Sequence, residues 1–181
     1  MQRSRGYSLY DFLVTLAIGG ILAIGAAGAL RAVRGITQTT EINAFVSQLN
    51  LARSVAITRQ RSVVFCPSKD GRRCSAADAF TWWHDGALLF VDDNGNREVD
   101  AADVVVRHYA SVDPQLRIKT SRARSRVVYQ PDGFAGGSNL TFTFCVRRES
   151  ANAKARYVVI SNTGRARVAA TPASGKAETC I

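Results

Sequence analysis

The stretch Phe12–Leu30, FLVTLAIGGILAIGAAGAL, runs for nineteen residues without a charge. Wound as a helix at 1.5 Å per residue it measures about 28 Å, close to the roughly 30 Å hydrocarbon thickness of a bilayer. Upstream stand Arg3, Arg5 and Gly6, then Tyr7-Ser8-Leu9-Tyr10-Asp11. An ordinary secretory signal has a shorter apolar core followed by a small-residue cleavage site. Here the small residue, Gly6, precedes the block, and only Ala26-Ala27-Gly28-Ala29 offers a weak site after it. Arg3 and Arg5 hold the start of the chain on the cytoplasmic side, a bias that Arg31 and Arg34 beyond the block oppose. Gly19, Gly20, Gly25 and Gly28 weaken a helix in water but are common in membrane helices, where small residues let neighbours pack closely. The expectation is a single membrane-spanning helix.

From Ile36 the pattern becomes amphipathic. Ile42, Phe45, Val46, Leu49, Ala52 and Ala56 follow steps of three and four, with Glu41, Asn43, Gln48, Asn50 and Arg53 between them. One long helix from about Phe12 to Gln60 is expected, its second half laying an apolar stripe on a globular head. After Arg61 the signal changes to short β runs. Strands are expected at 62–66, 87–91, 104–109, 116–119, 127–130, 140–146, 157–161 and 165–169. Turn residues punctuate them at Pro67, Asp70-Gly71, Asp93-Asn94-Gly95-Asn96, Pro131-Asp132-Gly133, Gly136-Gly137 and Asn162-Thr163-Gly164. The fold class is therefore α+β: a long N-terminal helix packed on a small antiparallel β-sandwich.

The 181 residues suffice for one domain plus an appended segment. A hydrophobic fraction of 46% argues against wholesale disorder. The net charge is +10, from 24 Lys and Arg against 14 Asp and Glu, which favours polyanionic partners. Cys66, Cys74, Cys145 and Cys180 form no CxxC pair, and His84 and His108 are not at zinc-ligand spacing. Behind an export-type N-terminus, an even count points to disulfides, with three pairings open. The local pair Cys66–Cys74 is the expected one, leaving Cys145 with Cys180. No Ser-His-Asp set, active-site Cys-His arrangement, phosphate-binding glycine loop or metal cluster is visible, so neither enzymatic activity nor a cofactor is expected.

The leader, glycine, acid and apolar block together resemble the N-terminal signal of type IV pilins and type II secretion pseudopilins. That resemblance implies cleavage after Gly6 by a prepilin peptidase and N-methylation of the new terminus, Tyr7. It further implies that Asp11, fifth after the cut, neutralises the amine of a neighbouring subunit in a filament. Tyr7 and Asp11 depart from the family's usual phenylalanine and glutamate. The implied organisation is a leader at 1–6, a transmembrane and filament-core helix at 7–35, and a head at 36–181. The implied location is the inner membrane, with a periplasmic head and assembly into a pilus or pseudopilus alongside other pilins.

Within the head, Cys66-Pro67-Ser68, Asp70-Gly71, Cys74, Trp82-Trp83, Asp85-Gly86, Phe90, Asp92, Asn94 and Asp100 resemble the H-type pseudopilins and FimT-type minor pilins. Cys145, Gly164-Arg165-Ala166-Arg167 and Cys180 resemble the FimT-type branch, whose GRxR motif implies DNA binding in natural transformation. The motif makes physical sense. Gly164 permits a turn with positive φ, and in an extended chain Arg165 and Arg167 share one face about 6.6 Å apart. Two guanidinium forks so placed grip successive phosphates without reading bases. Between Arg117 and Arg167 eleven basic residues face only Asp132 and Glu149. Of these, Arg122, Arg124 and Arg126 alternate, and Lys154 and Arg156 flank the GRxR turn, so all five are expected auxiliary contacts to DNA. Isolated from this context, two arginines after a hairpin would read as a solvated surface.

Two further features read as structural. The run Asp92-Asp93-Asn94-Gly95-Asn96 invites a calcium loop, but Arg97 stands where an EF-hand needs glycine and Asp103 where it needs glutamate, so a tight turn is expected. Trp82 and Trp83 offer a stacking platform for single-stranded DNA, although at least one of them belongs in the core.

Overall fold

The computed structural model describes residues 9–75, 81–120, 124–146 and 155–175, and for residues 22–37 the backbone alone. Helix α1 spans Leu9–Arg59, close to the length the periodicity implied. Its end is chemically defined. Gln60 takes φ 51°, the Arg61 N–H reaches back to the Ala56 carbonyl at 3.3 Å, and the Gln60 side-chain amide donates to the Ile57 carbonyl at 2.7 Å. This 6→1 closure satisfies carbonyls that a helix end otherwise leaves open.

Two units divide the chain, Met1–Thr37 and Gln38–Ile181. In the first, Leu9, Tyr10, Phe12, Leu13, Leu16, Ile18 and Ile21 are exposed. Among the described residues no helix is long and apolar enough to cross a membrane. The expected span Phe12–Leu30 lies partly outside them, its described side chains ending at Ile21. The implied cleavage and methylation residues, Gly6 and Tyr7, lie wholly outside.

In the second unit all strand pairs are antiparallel, in two sheets. One contains β1 (Ser62–Pro67), β3 (Ala87–Asp92), β4 (Val104–Tyr109) and β6 (Val127–Tyr129), in the order β4-β3-β1-β6. The other contains β2 (Thr81–Trp82), β5 (Leu116–Thr120), β7 (Leu140–Val146), β8 (Arg156–Ile160) and β9 (Ala166–Ala169), in the order β2-β5-β7-β8-β9. Eight of the nine match expected strands to within a residue or two. The addition is β2, two residues long, too short to show an alternating pattern.

The helix stripe and both sheets share one core. Ile42, Phe45, Leu49, Ala52 and Ala56 are buried with Val63 and Phe65 of β1, Leu89 of β3, Ile118 of β5, Phe142 and Phe144 of β7, and Val158 and Ile160 of β8. Phe45 is the hub: its ring centroid lies 4.7 Å from Phe142, 5.5 Å from Phe144, 5.6 Å from Phe65 and 6.0 Å from Trp83, all near edge-to-face. Such pairs add about 0.5–1.5 kcal/mol each beyond area burial. Trp83 is thus the core tryptophan, its indole N–H donating to the Thr120 hydroxyl at 3.3 Å. On the other face of the four-stranded sheet a smaller cluster joins Val64, Cys66, Leu88, Phe90 and Val128. The Cys66–Cys74 disulfide pins the following loop over it, as expected. Cys145 is also disulfide-bonded, while its expected partner Cys180 lies outside the described residues.

Candidate functional site

The GRxR segment is a β-hairpin corner. Strands β8 and β9 pair through Tyr157↔Ala169, Val158↔Val168, Val159↔Arg167 and Ile160↔Ala166. Val158 and Ile160 point into the core, so alternation sends Val159 and its cross-strand partner Arg167 to the opposite face. Arg165 immediately precedes β9, but the Ser161 N–H donates to its carbonyl at 3.2 Å, so the ladder runs one pair further and Arg165 falls on that same face, about 6.6 Å from Arg167 by strand rise. Both arginines are exposed, and among the described residues neither guanidinium has an ion-pair partner. They occupy the edge of the five-stranded sheet.

What fixes the corner is Gly164. Its φ is +76°, and its N–H donates to the Ser161 carbonyl at 2.9 Å. A Cβ there would lie 2.1 Å from the Gly133 carbonyl oxygen and 3.2 Å from the Tyr129 ring, so glycine is required twice over. The neighbouring turn is built to match. Gly133 donates to the Gln130 carbonyl at 2.8 Å, Gln130 to Phe134 at 2.8 Å, and Ala135 to the Asn162 carbonyl at 2.9 Å. Gly133 in turn, at φ +79°, packs against the helix, where a Cβ would lie 2.7 Å from the Ile57 Cδ1. The arginine-bearing corner therefore rests on the 130–134 turn, which rests on α1. The Tyr129 ring lies beneath, and burial pushes its phenol well above the ordinary tyrosine range despite the nearby Arg53. Pro131-Asp132-Gly133 marks a turn in the sequence, but only the fold reveals it as the seat of the GRxR corner.

The expected auxiliary residues separate. Arg156 pairs with Phe144 across β7 and β8, and Phe144 faces the core, so Arg156 sits on the face opposite Arg165 and Arg167, exposed at the strand's start. Arg124 is committed to structure: its Nη1 donates to the Gly137 carbonyl at 2.6 Å, the Asn139 carbonyl at 3.1 Å and the Asn139 Oδ1 at 2.7 Å. Arg126 is ion-paired with Glu98. The even spacing of these two does not make one extended row, because 124–126 lie outside any strand and each side chain has its own partner. Arg122 and Lys154 lie outside the described residues. Asp11 lies in the first turn of α1.

The acidic loop closes on itself, as a turn should. Asp92 accepts from the N–H groups of Gly95 and Arg97 at 2.8 and 3.0 Å, and Asp103 from those of Asp93 and Asp100 at 3.1 and 3.0 Å. Asp100 accepts from the Ala102 N–H at 2.8 Å and from the side chains of Asn94 and Asn96 at 2.6 and 2.7 Å. These donors, Ala102 foremost, hold the Asp100 carboxyl below the usual range.

Residues 41–164 match the profile of a family described as the type II transport protein GspH. The chain belongs to the GspH family. Members are structural components of pilin-like assemblies and not enzymes. The GspH match ends at Gly164, so Arg165 and Arg167 lie just beyond it. Two crystal structures of the type IV minor pilin FimU from Pseudomonas aeruginosa strain PAO1 share the fold. One, in space group P65, has a TM-score of 0.56 at 20% identity, covering 79% of this chain and 99% of that one. The other, in P21, has a TM-score of 0.54 at 21% identity, covering 81% and 99%. No curated protein sequence matches the chain.

Proposed function

We propose that this GspH-family protein is a minor type IV pilin of the FimT kind, whose head captures extracellular DNA by its phosphates for uptake in natural transformation. The observation that carries the reading is the rigid hairpin corner that presents Arg165 and Arg167, exposed and without a described acidic partner, on one face of a sheet edge. The net charge of +10 supplies long-range attraction for a polyanion. In the same reading, prepilin peptidase cuts after Gly6, Tyr7 becomes the methylated terminus, and the apolar part of α1 resides in the inner membrane before entering a filament of pilins. There Asp11 meets a neighbouring subunit's amine.

The test is binding of the full chain, in detergent micelles, to duplex DNA. Arg165→Gln with Arg167→Gln should weaken binding and lower the salt-dependence slope by about one unit per arginine lost. Undiminished affinity with an unchanged slope removes the motif's role. The family description favours a second reading, a secretion pseudopilin or priming subunit that binds no DNA. Deletion separates them: a priming subunit is required for secretion or piliation, a DNA receptor for transformation.

A further inference from the structure

The two adjacent tryptophans take opposite roles. Trp83 is 1% exposed in the core and Trp82 is 38% exposed at the sheet edge. Trp82 lines an open pocket of about 330 Å³ together with His84, Asp85 and Arg117, a size within the range of about 300–1,000 Å³ seen for small-molecule clefts. The indole is held: its centroid lies 5.2 Å from the His84 ring at 79°. Burial and the adjacent Arg117 push His84 below the ordinary histidine range, so the imidazole stays neutral. The Asp85 carboxylate is engaged by Lys69 at 3.1 Å, and Arg117 donates from Nη1 to the His84 Nε2, which fixes the guanidinium beside the indole. The pocket thus combines a π-surface, a guanidinium fixed by the His84 ring and a carboxylate already paired with Lys69.

Its position matters as much as its contents. Trp82 pairs with Lys119, and Arg117 lies two residues before Lys119 on the same face of β5. Lys119 pairs with Thr143, Thr143 with Tyr157, and Tyr157 shares its face with Val159, the partner of Arg167. Trp82, Arg117 and Lys119 therefore stand on the same face of the sheet as Arg165 and Arg167, with the buried side chains of Thr143, Tyr157 and Val159 between the two groups. Three strand intervals separate β5 from β9, about 14 Å.

We propose that the Trp82 pocket takes a base of single-stranded DNA, stacked on the indole with its phosphate at Arg117. This rests on the DNA reading above and adds, beside the duplex contacts of Arg165 and Arg167, a site for strands with unpaired bases. Stacking on an aromatic is tolerant of base identity, and so matches a receptor that does not read sequence.

The experiment uses the full chain in detergent, an oligo-dT single strand and a blunt duplex. Binding of oligo-dT should quench Trp82 emission. Trp82→Ala should weaken oligo-dT binding about tenfold, the usual scale for one lost stack, and blunt-duplex binding less than about twofold. Trp82→Phe should restore most of the affinity while abolishing the quench, which separates stacking from a folding defect. Equal losses on both probes, or unchanged oligo-dT affinity in Trp82→Ala, overturn the pocket assignment. Failure of the wider DNA reading looks different: wild-type protein then binds neither probe.

Discussion

Replacing Gly164 by alanine tests the account of how the arginine corner is held. Two penalties add. An L-residue at the observed φ of +76° costs about 1–2 kcal/mol. The new Cβ, placed 2.1 Å from the Gly133 carbonyl oxygen, forces backbone apart, and such overpacking costs about 1–3 kcal/mol. The sum is about 2–5 kcal/mol. At about 2–4 °C per kcal/mol for a chain of this size, a mid-range loss of about 3 kcal/mol lowers the melting temperature by about 6–12 °C. Gly95 supplies the control, because it has the same φ of +76° with nothing within 4 Å of its would-be Cβ. Gly95→Ala should therefore show the dihedral penalty alone, about 1–2 kcal/mol. Thermal melts of both variants in one detergent, followed by far-UV circular dichroism, give the comparison. If Gly164→Ala melts no lower than Gly95→Ala, the close approach of Gly133 does not secure the corner and the argument fails. DNA titrations on the folded Gly164→Ala protein should also show weaker binding, since the strand leaving the turn must shift with it.

Leu49, fully buried on the helix stripe, should cost about 2–5 kcal/mol as Leu49→Ala, whereas exposed Leu51 should cost far less; chemical denaturation of the two variants checks this. Arg124→Ala should destabilise by about 1–2 kcal/mol, because it strips three hydrogen bonds from the 137–139 loop, and should leave the DNA salt slope nearly unchanged. Asp100 has a depressed carboxyl in the folded state. Its contribution is therefore present above the ordinary carboxyl value of 3.8 and is lost as pH falls through the lower folded value. Melts from pH 5 downward should show a shallower acid decline in Asp100→Asn than in the parent.

The helix stripe and most of the strands were legible because each is a repeat of one residue type at one period. Phe45 and Leu49 sit at helical spacing, and Leu140-Thr141-Phe142-Thr143-Phe144 alternates with its apolar residues facing the core. β2 was not legible, since two residues carry no period and it exists only by pairing with Thr120 and Lys119. Charge spacing misled for a different reason. Alternation of Arg124 and Arg126 implies a common face only if the chain is extended there, and each instead found a separate partner, Asn139 or Glu98. Gly164 was flagged for its dihedral freedom, but its second constraint comes from Gly133, thirty-one positions earlier, a distance over which local sequence says nothing. The same holds for Trp82 and Arg117, brought to one pocket by pairing between β2 and β5.

The location of β9 at a sheet margin has a consequence for solubility. An outermost strand offers unsatisfied backbone groups to any passing strand, and proteins blunt such margins with long charged side chains. Arg167 lies within β9 and Arg165 immediately before it, so the cations that would hold a polyanion also act as gatekeepers against self-association. Exchanging them for apolar residues would strip both protections together, and glutamine, which keeps a polar side chain there, is the gentler exchange.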